Sequence, residues 1–165
     1  MEVIRQLNVN APATRLWEIL AENYDRVGEW TSEITQSASN PDLNVGEGRV
    51  CTTPGFGDVK ETITAYDEKR RQFSYAAEIS SFPFFVKDVG NSWRVEEKGI
   101  NRAVVHMHMN AKLLPIFAQL MGPVMKRQMG KAADVILEEL KYYAETDEIH
   151  PRKQEQLRAA TLQAA

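Results

Sequence analysis

With a single cysteine, Cys51, the 165-residue chain cannot form an internal disulfide or a cysteine-built zinc cluster. It also lacks a basic excess. Its 20 Lys and Arg against 23 Asp and Glu leave a net charge of −3, which excludes the electrostatic footprint of a nucleic-acid-binding protein. No apolar run approaches the roughly 20 residues needed to span a bilayer, and Met1 to Asn10 carries no apolar signal core. From these absences we expect a cytoplasmic location, no nucleic-acid partner and no transmembrane segment. What is present, 43% hydrophobic and 26% charged residues, is the composition of an ordinary globular protein, and the length suits one domain with a sizeable core.

Alternation opens the chain: Val3, Leu7 and Val9 share one parity, broken by Arg5, so Glu2 to Val9 reads as a strand. Asn10-Ala11-Pro12 stops it. Ala13, Leu16, Trp17 and Leu20 then follow at helical spacing, and Val27 and Trp30 carry the apolar face into a second short helix. The polar stretch Ser37 to Asn44 reads as loop. From Gly46 the period switches to two and stays there for about 65 residues, the body of a sheet. One face collects Val59, Glu61, Ile63 and Ala65, then Phe73, Tyr75, Ala77 and Ile79, then Val89, Asn91, Trp93 and Val95, then Ala103, Val105, Met107, Met109 and Ala111. Pro115 closes the sheet. Ile116, Phe117, Leu120 and Met121 make a helical turn or two, and after Gly122-Pro123 a long helix carries Met125, Met129, Ala133, Leu137 and Leu140 at spacings of three and four. Beyond Tyr143 the chain turns charged and then alanine-rich, with His150-Pro151 as a break. We therefore expect one domain over residues 1–147 and a polar, flexible tail over 148–165.

This order of elements is an α+β plan, a curved antiparallel sheet around a long C-terminal helix with two short helices after the first strand. The residues Val9-Asn10-Ala11-Pro12 with Leu16-Trp17, Gly46-Glu47-Gly48, Glu61-Thr62-Ile63 with Asp67 and Arg70-Arg71, and Asn91-Ser92-Trp93 add detail. In these the chain resembles the START-like, helix-grip (SRPBCC) superfamily, which includes polyketide cyclase/dehydrase-like and lipid-transport proteins and the plant abscisic acid receptors. The resemblance implies an internal apolar cavity between sheet and long helix, reached past the loops at Pro54 to Gly57 and Ser80 to Phe85. Neither loop matches the Ser-Gly-Leu-Pro-Ala gate or His-Arg-Leu latch of the hormone receptors, so a hormone-receptor role is not expected.

Glu61 is the most informative residue, because it is the lone carboxylate on a face otherwise made by Val59, Ile63 and Ala65. Burying a carboxylate is costly unless it is paired, hydrogen-bonded or protonated. It is either a cavity group that meets ligand or a solvated residue at the cavity mouth; the resemblance implies the former. Tyr75 and Asn91 share its inward parity on the next two strands, where the three can lie side by side. They form either a ligand-orienting set or a structural hydrogen-bond cluster. Ile63, Trp93, Val105, Met107, Phe117, Met121 and Met125 complete the expected ligand-binding set, the methionines suiting a permissive apolar site. His106 and His108 share one strand face but fall opposite the buried set, with no third ligand in view, so no metal site is expected. Phe82, Phe84 and Phe85 are either a lid or an exposed patch for transient membrane or partner contact.

The leading expectation is a binding or carrier protein for a small hydrophobic molecule, lipid, polyketide or isoprenoid-like, needing no cofactor. The alternative is a cofactor-independent cyclase, dehydratase or isomerase using Glu61 and Tyr75 as acid-base groups. A third is a partner-binding scaffold acting through the aromatic loop.

Overall fold

The computed structural model describes residues 1–39 and 45–164. Strand β1 (Glu2–Val9) is followed by α1 (Ala13–Trp17), which runs into a π-helical turn at Glu18–Glu22. A 3₁₀ turn (Tyr24–Arg26) and the short helix α2 (Val27–Trp30) come next. Strands β2 (Gln36–Ser39), β3 (Gly48–Thr53), β4 (Gly57–Asp67), β5 (Gln72–Ile79), β6 (Val86–Gly99) and β7 (Arg102–Leu113) lead to α3 (Pro115–Thr146) and α4 (Pro151–Ala164). The seven strands form one antiparallel sheet in the order β1-β7-β6-β5-β4-β3-β2, curved around α3 in a helix-grip arrangement.

Hairpin succession explains most of this order, since only β1 must travel to reach the far edge beside β7. There Val3 lies opposite Met109 and Leu7 opposite Val105, so the parity seen in the sequence becomes two facing rows. Arg5, the exception to that parity, faces inward as well. It reaches α3 and pairs with Asp134 at 2.6 Å. Gly130 makes room for it: a β-carbon there would lie 3.0 Å from the Arg5 Nη2.

Four local expectations are corrected. Part of the expected loop at Ser37 to Asn44 is β2, which pairs with β3 from Gln36 opposite Thr52 to Ser39 opposite Arg49; residues 40–44 lie outside the described residues. Ala65 does not share the inner face with Ile63, because a β-bulge inserts Thr64 and turns Tyr66 inward instead, opposite Phe73 and stacked on Trp17 at 5.7 Å. Gly122-Pro123 does not divide two helices: α3 runs through it. Proline lacks the amide that would bond four residues back, yet burial of the helix's later half holds the element together. Finally, where a flexible tail is expected, α4 is a helix whose first turns are docked. Lys153 is fully buried and donates to the Ile34 carbonyl at 2.8 Å, Gln156 donates to the Ser32 carbonyl at 2.7 Å, and Arg152 pairs with Glu138.

The core is uneven along α3. From Gly130 onward the helix buries Ala133, Leu137, Leu140 and Ala144 against a sheet face of Phe73, Trp93, Val95, Val105 and Met107. Before Gly130 only Gly122 is buried, and the sheet residues on that side are less covered.

Candidate functional site

Glu61 lies inside, as its parity requires, with only 6% of its surface exposed. The residues that make this tolerable come from two places. Arg49 sits directly opposite Glu61 on β3 and donates from Nε to Oε2 at 2.7 Å. Tyr24, in the 3₁₀ turn, donates its hydroxyl to the same oxygen at 2.6 Å. Arg49 also donates to the Tyr24 carbonyl and lies 3.7 Å from the centre of its ring, a cation–π contact. Gly48 is what lets β3 come this close, since a β-carbon there would lie 1.8 Å from the Glu61 carbonyl oxygen.

The electrostatics follow from burial. Burial pushes the Tyr24 phenol well above its ordinary range, Arg49 opposes this, and the Glu61 charge adds to it. Burial alone would weaken the Arg49 guanidinium, but Glu61 and Tyr24 outweigh it and hold it charged. Tyr24 therefore stays a proton donor and Arg49 a cation, and the Glu61 carboxylate is gripped from two sides.

Tyr75 and Asn91 are register partners on β5 and β6, and the Asn91 Nδ2 donates to the Tyr75 hydroxyl at 3.2 Å. Burial and the nearby Glu61 raise the Tyr75 phenol, keeping it protonated. Its ring stands 6.1 Å from that of Tyr24, so the Arg49–Glu61–Tyr24 cluster lies directly behind it. Glu61 itself is opposite Ala77, and Ile63 opposite Tyr75, so the carboxylate sits one cross-strand row away from the Tyr75–Asn91 pair. The Asn91 Oδ1 is buried with no hydrogen-bond partner among the described residues. Either orientation of the amide leaves one polar end unmatched, an expensive condition unless something else fills it.

Other expected site residues divide by position. Ile63, Trp93, Val105 and Met107 are buried in the packed core. Tyr75, Val89 and Met109 face the same way as these yet are only half-buried, and on α3 Phe117, Met125 and Met129 are half-buried too. Met121 lies on the same helical stripe as Phe117 and Met125 but is 40% exposed, more open than either, so the structure does not bury it in the interior. The aromatic loop splits its roles. Phe82 packs edge-on to Phe56, Phe85 stacks on Phe117 at 4.3 Å, and Phe84 is 71% exposed. A cleft of about 480 Å³ opens elsewhere, between α2 and the β2–β3 edge, lined by Arg26, Glu29, Gln36 and Thr52 among others.

His106 and His108 face outward, each beside a carboxylate, Glu96 at 3.1 Å and Glu2 at 3.7 Å. Cys51 is buried, and burial raises its thiol, which makes it a packing residue. Sequence reasoning passed over Arg49 and Tyr24. Arg49 carried a signal, the same strand parity as buried Cys51; Tyr24 sits in an irregular segment with no period to read.

A seven-stranded antiparallel sheet gripping a long C-terminal helix is the START-like, helix-grip class. Residues 2–145 match the family described as polyketide cyclase / dehydrase and lipid transport, and the chain belongs to that family. Solved structures share the fold at low identity. A START superfamily protein from Mycobacterium smegmatis is 14% identical with a TM-score of 0.70, over 89% of this chain and 99% of that one. A point mutant of norcoclaurine synthase from Thalictrum flavum, in complex with a transition-state analogue, is 18% identical with a TM-score of 0.66, over 85% and 93%. The same plant's enzyme in complex with dopamine and hydroxybenzaldehyde is 19% identical with a TM-score of 0.61, over 84% of each chain. No curated protein matches the chain in sequence. Among the described residues no helix is long and apolar enough to cross a membrane.

Proposed function

We propose that the protein binds a small hydrophobic molecule carrying a hydroxyl group, lipid, polyketide or isoprenoid-like, between the sheet and the first half of α3. One observation carries this reading. Tyr75 and Met109, the register partners of Asn91, are incompletely covered, as is Met129 on α3, and the Asn91 Oδ1 between the two strands is unmatched among the described residues. A hydroxyl both donates and accepts, so it satisfies Asn91 in either amide orientation while its apolar body replaces water beside the methionines. The family, and neighbours solved with small aromatic molecules, support the reading.

The enzymatic alternative would use Glu61 as the base and Tyr75 as the acid. The ion pair with Arg49 weighs against Glu61, because its Oε2 is already taken up by the Arg49 Nε and the Tyr24 hydroxyl inside a packed cluster. Tyr75 remains available as a hydrogen-bond donor to a ligand oxygen. Carriage rather than turnover is the reading that the geometry favours.

Titration with 8-anilinonaphthalene-1-sulfonate tests it. The full chain is expected to bind one equivalent saturably, Met109→Trp to abolish binding while the fold survives, and Asn91→Leu to weaken retention of whatever native mass spectrometry finds on the purified protein. Absence of saturable uptake, with Met109→Trp costing the roughly 1–3 kcal/mol of an overpacked core, would overturn it. Conversion of the retained molecule, lost in Glu61→Gln, would replace carriage with catalysis.

A further inference from the structure

The outer face of α3 is apolar where it should be polar. Ile116, Leu120 and Val124 recur every fourth residue and are 72%, 70% and 51% exposed, on the side of the helix opposite Gly122, Ala133, Leu137 and Leu140. Phe84, 71% exposed, extends the stripe from the neighbouring loop, its ring 5.5 Å from that of Phe117. A helix whose solvent side is its greasy side has an unmet partner.

Charge says which partner. Residues 112–131 hold Lys112, Lys126, Arg127 and Lys131 and no acidic residue, in a chain of net charge −3. Lys112 shares Asp88 at 3.8 Å, while the other three are exposed and make no ion pair among the described residues. At 100° per residue Arg127 and Lys131 fall on the same outer face as the apolar stripe, just beyond it. A second copy of this face would bring like charges together, which disfavours a symmetric dimer through it. The protruding side chains form a ridge rather than a groove, and a ridge suits a deformable apolar phase better than a preformed protein pocket.

We propose that this face, Phe84 with the Ile116–Leu120–Val124 stripe and its basic continuation at Arg127 and Lys131, docks the protein on anionic lipid bilayers. The apolar side chains enter the acyl boundary while the cations meet lipid phosphates, a peripheral attachment that leaves the fold intact. The proposal stands apart from ligand binding, although the Phe85–Phe117 stack puts the docking face next to the incompletely covered interior.

Flotation of the full chain with vesicles of phosphatidylglycerol and phosphatidylcholine in equal parts, with no ligand added, tests it. Binding is expected at low salt, to fall at high salt, and to be absent from phosphatidylcholine alone. Leu120→Glu should weaken it by about tenfold or more, and Arg127→Glu or Lys131→Glu by about fivefold each, the equivalent of roughly 1 kcal/mol per basic residue near an anionic surface. All three positions are exposed, so thermal melts should not move. Failure to float with anionic vesicles at low salt, or equal flotation of Leu120→Glu, would overturn the proposal. So would a dimer in sedimentation equilibrium that Leu120→Glu dissolves, because the face would then belong to a second copy.

Discussion

The two halves of α3 meet the same sheet in different ways. Past Gly130 the helix offers small and branched residues, Ala133, Leu137, Leu140 and Ala144, and the sheet answers with Phe73, Trp93, Val105 and Met107, all buried. Before Gly130 it offers Phe117, Met125 and Met129, and the sheet offers Tyr75, Val89 and Met109, all half-covered, with buried Asn91 in register between Tyr75 and Met109. One end is filled by its own side chains. The other leaves its side chains half-covered and an amide oxygen that its neighbours do not satisfy. On the reading proposed above, packing and ligand binding divide along a single helix, and the Arg49–Glu61–Tyr24 cluster stands behind Tyr75 as a wall.

That wall gives the largest expected effect. Arg49→Met leaves the Glu61 carboxylate buried without its cation, and loss of one partner of a buried pair costs about 3–5 kcal/mol. The double change Arg49→Met with Glu61→Leu removes both charges and should recover most of that loss, measured by denaturant unfolding. A single-variant loss below about 1 kcal/mol would mean that Glu61 is a solvated residue at the mouth and the wall is soft.

Truncation compares the halves directly. Leu137→Ala opens a hole in a dense region and should cost about 2–5 kcal/mol. Met125→Ala, on a residue already reached by solvent, should cost about 1 kcal/mol or less yet shift ligand uptake. Equal costs at the two positions would erase the distinction between the filled and the open end.

Much of this was legible before any coordinates, for identifiable reasons. Period-two alternation fixes strand faces, so Glu61, Tyr75 and Asn91 could be put inside from parity alone, and the succession of hairpins fixes the strand order. What escaped depends on single departures from a period. The bulge at Thr64 exchanges Ala65 for Tyr66. Tyr24 reaches Glu61 from a 3₁₀ turn, and Arg49 was hidden by the habit of placing arginine outside although β3 parity put it with Cys51. The docking of α4 was invisible for a different reason. It is anchored by a buried lysine and polar contacts in place of an apolar stripe, and amphipathicity searches look for stripes.

The buried cation of α4 supplies the smallest predicted effect and the sharpest contrast with Arg49. Arg49 has a carboxylate in contact at 2.7 Å and is held charged. Lys153 is fully buried against neutral acceptors, the Ile34 carbonyl and the Gln156 side chain at 2.7 Å, and burial lowers its ammonium below the usual 10.5, with nearby Glu139 only partly offsetting this. Between the lowered value and 10.5, the unfolded chain still holds the proton that the folded chain has released. Unfolding then takes up a proton, so stability rises with pH across that window and this contribution is withdrawn as pH falls through the folded value. The buried Cys51 thiol from about pH 9, and the two buried tyrosines from about pH 10, act the other way, because their raised groups make folding resist ionisation, so the window to measure lies below these ranges. The denaturation midpoint of the wild type should rise with pH in that window, as the folded chain releases the lysine proton before the unfolded chain does. Lys153→Met, which keeps the buried stem and removes the titrating group, should flatten that rise. A midpoint in Lys153→Met that climbs with pH as steeply as the wild type's would show that the lysine is not the group responsible, and that α4 is held by Arg152 and Gln156 alone.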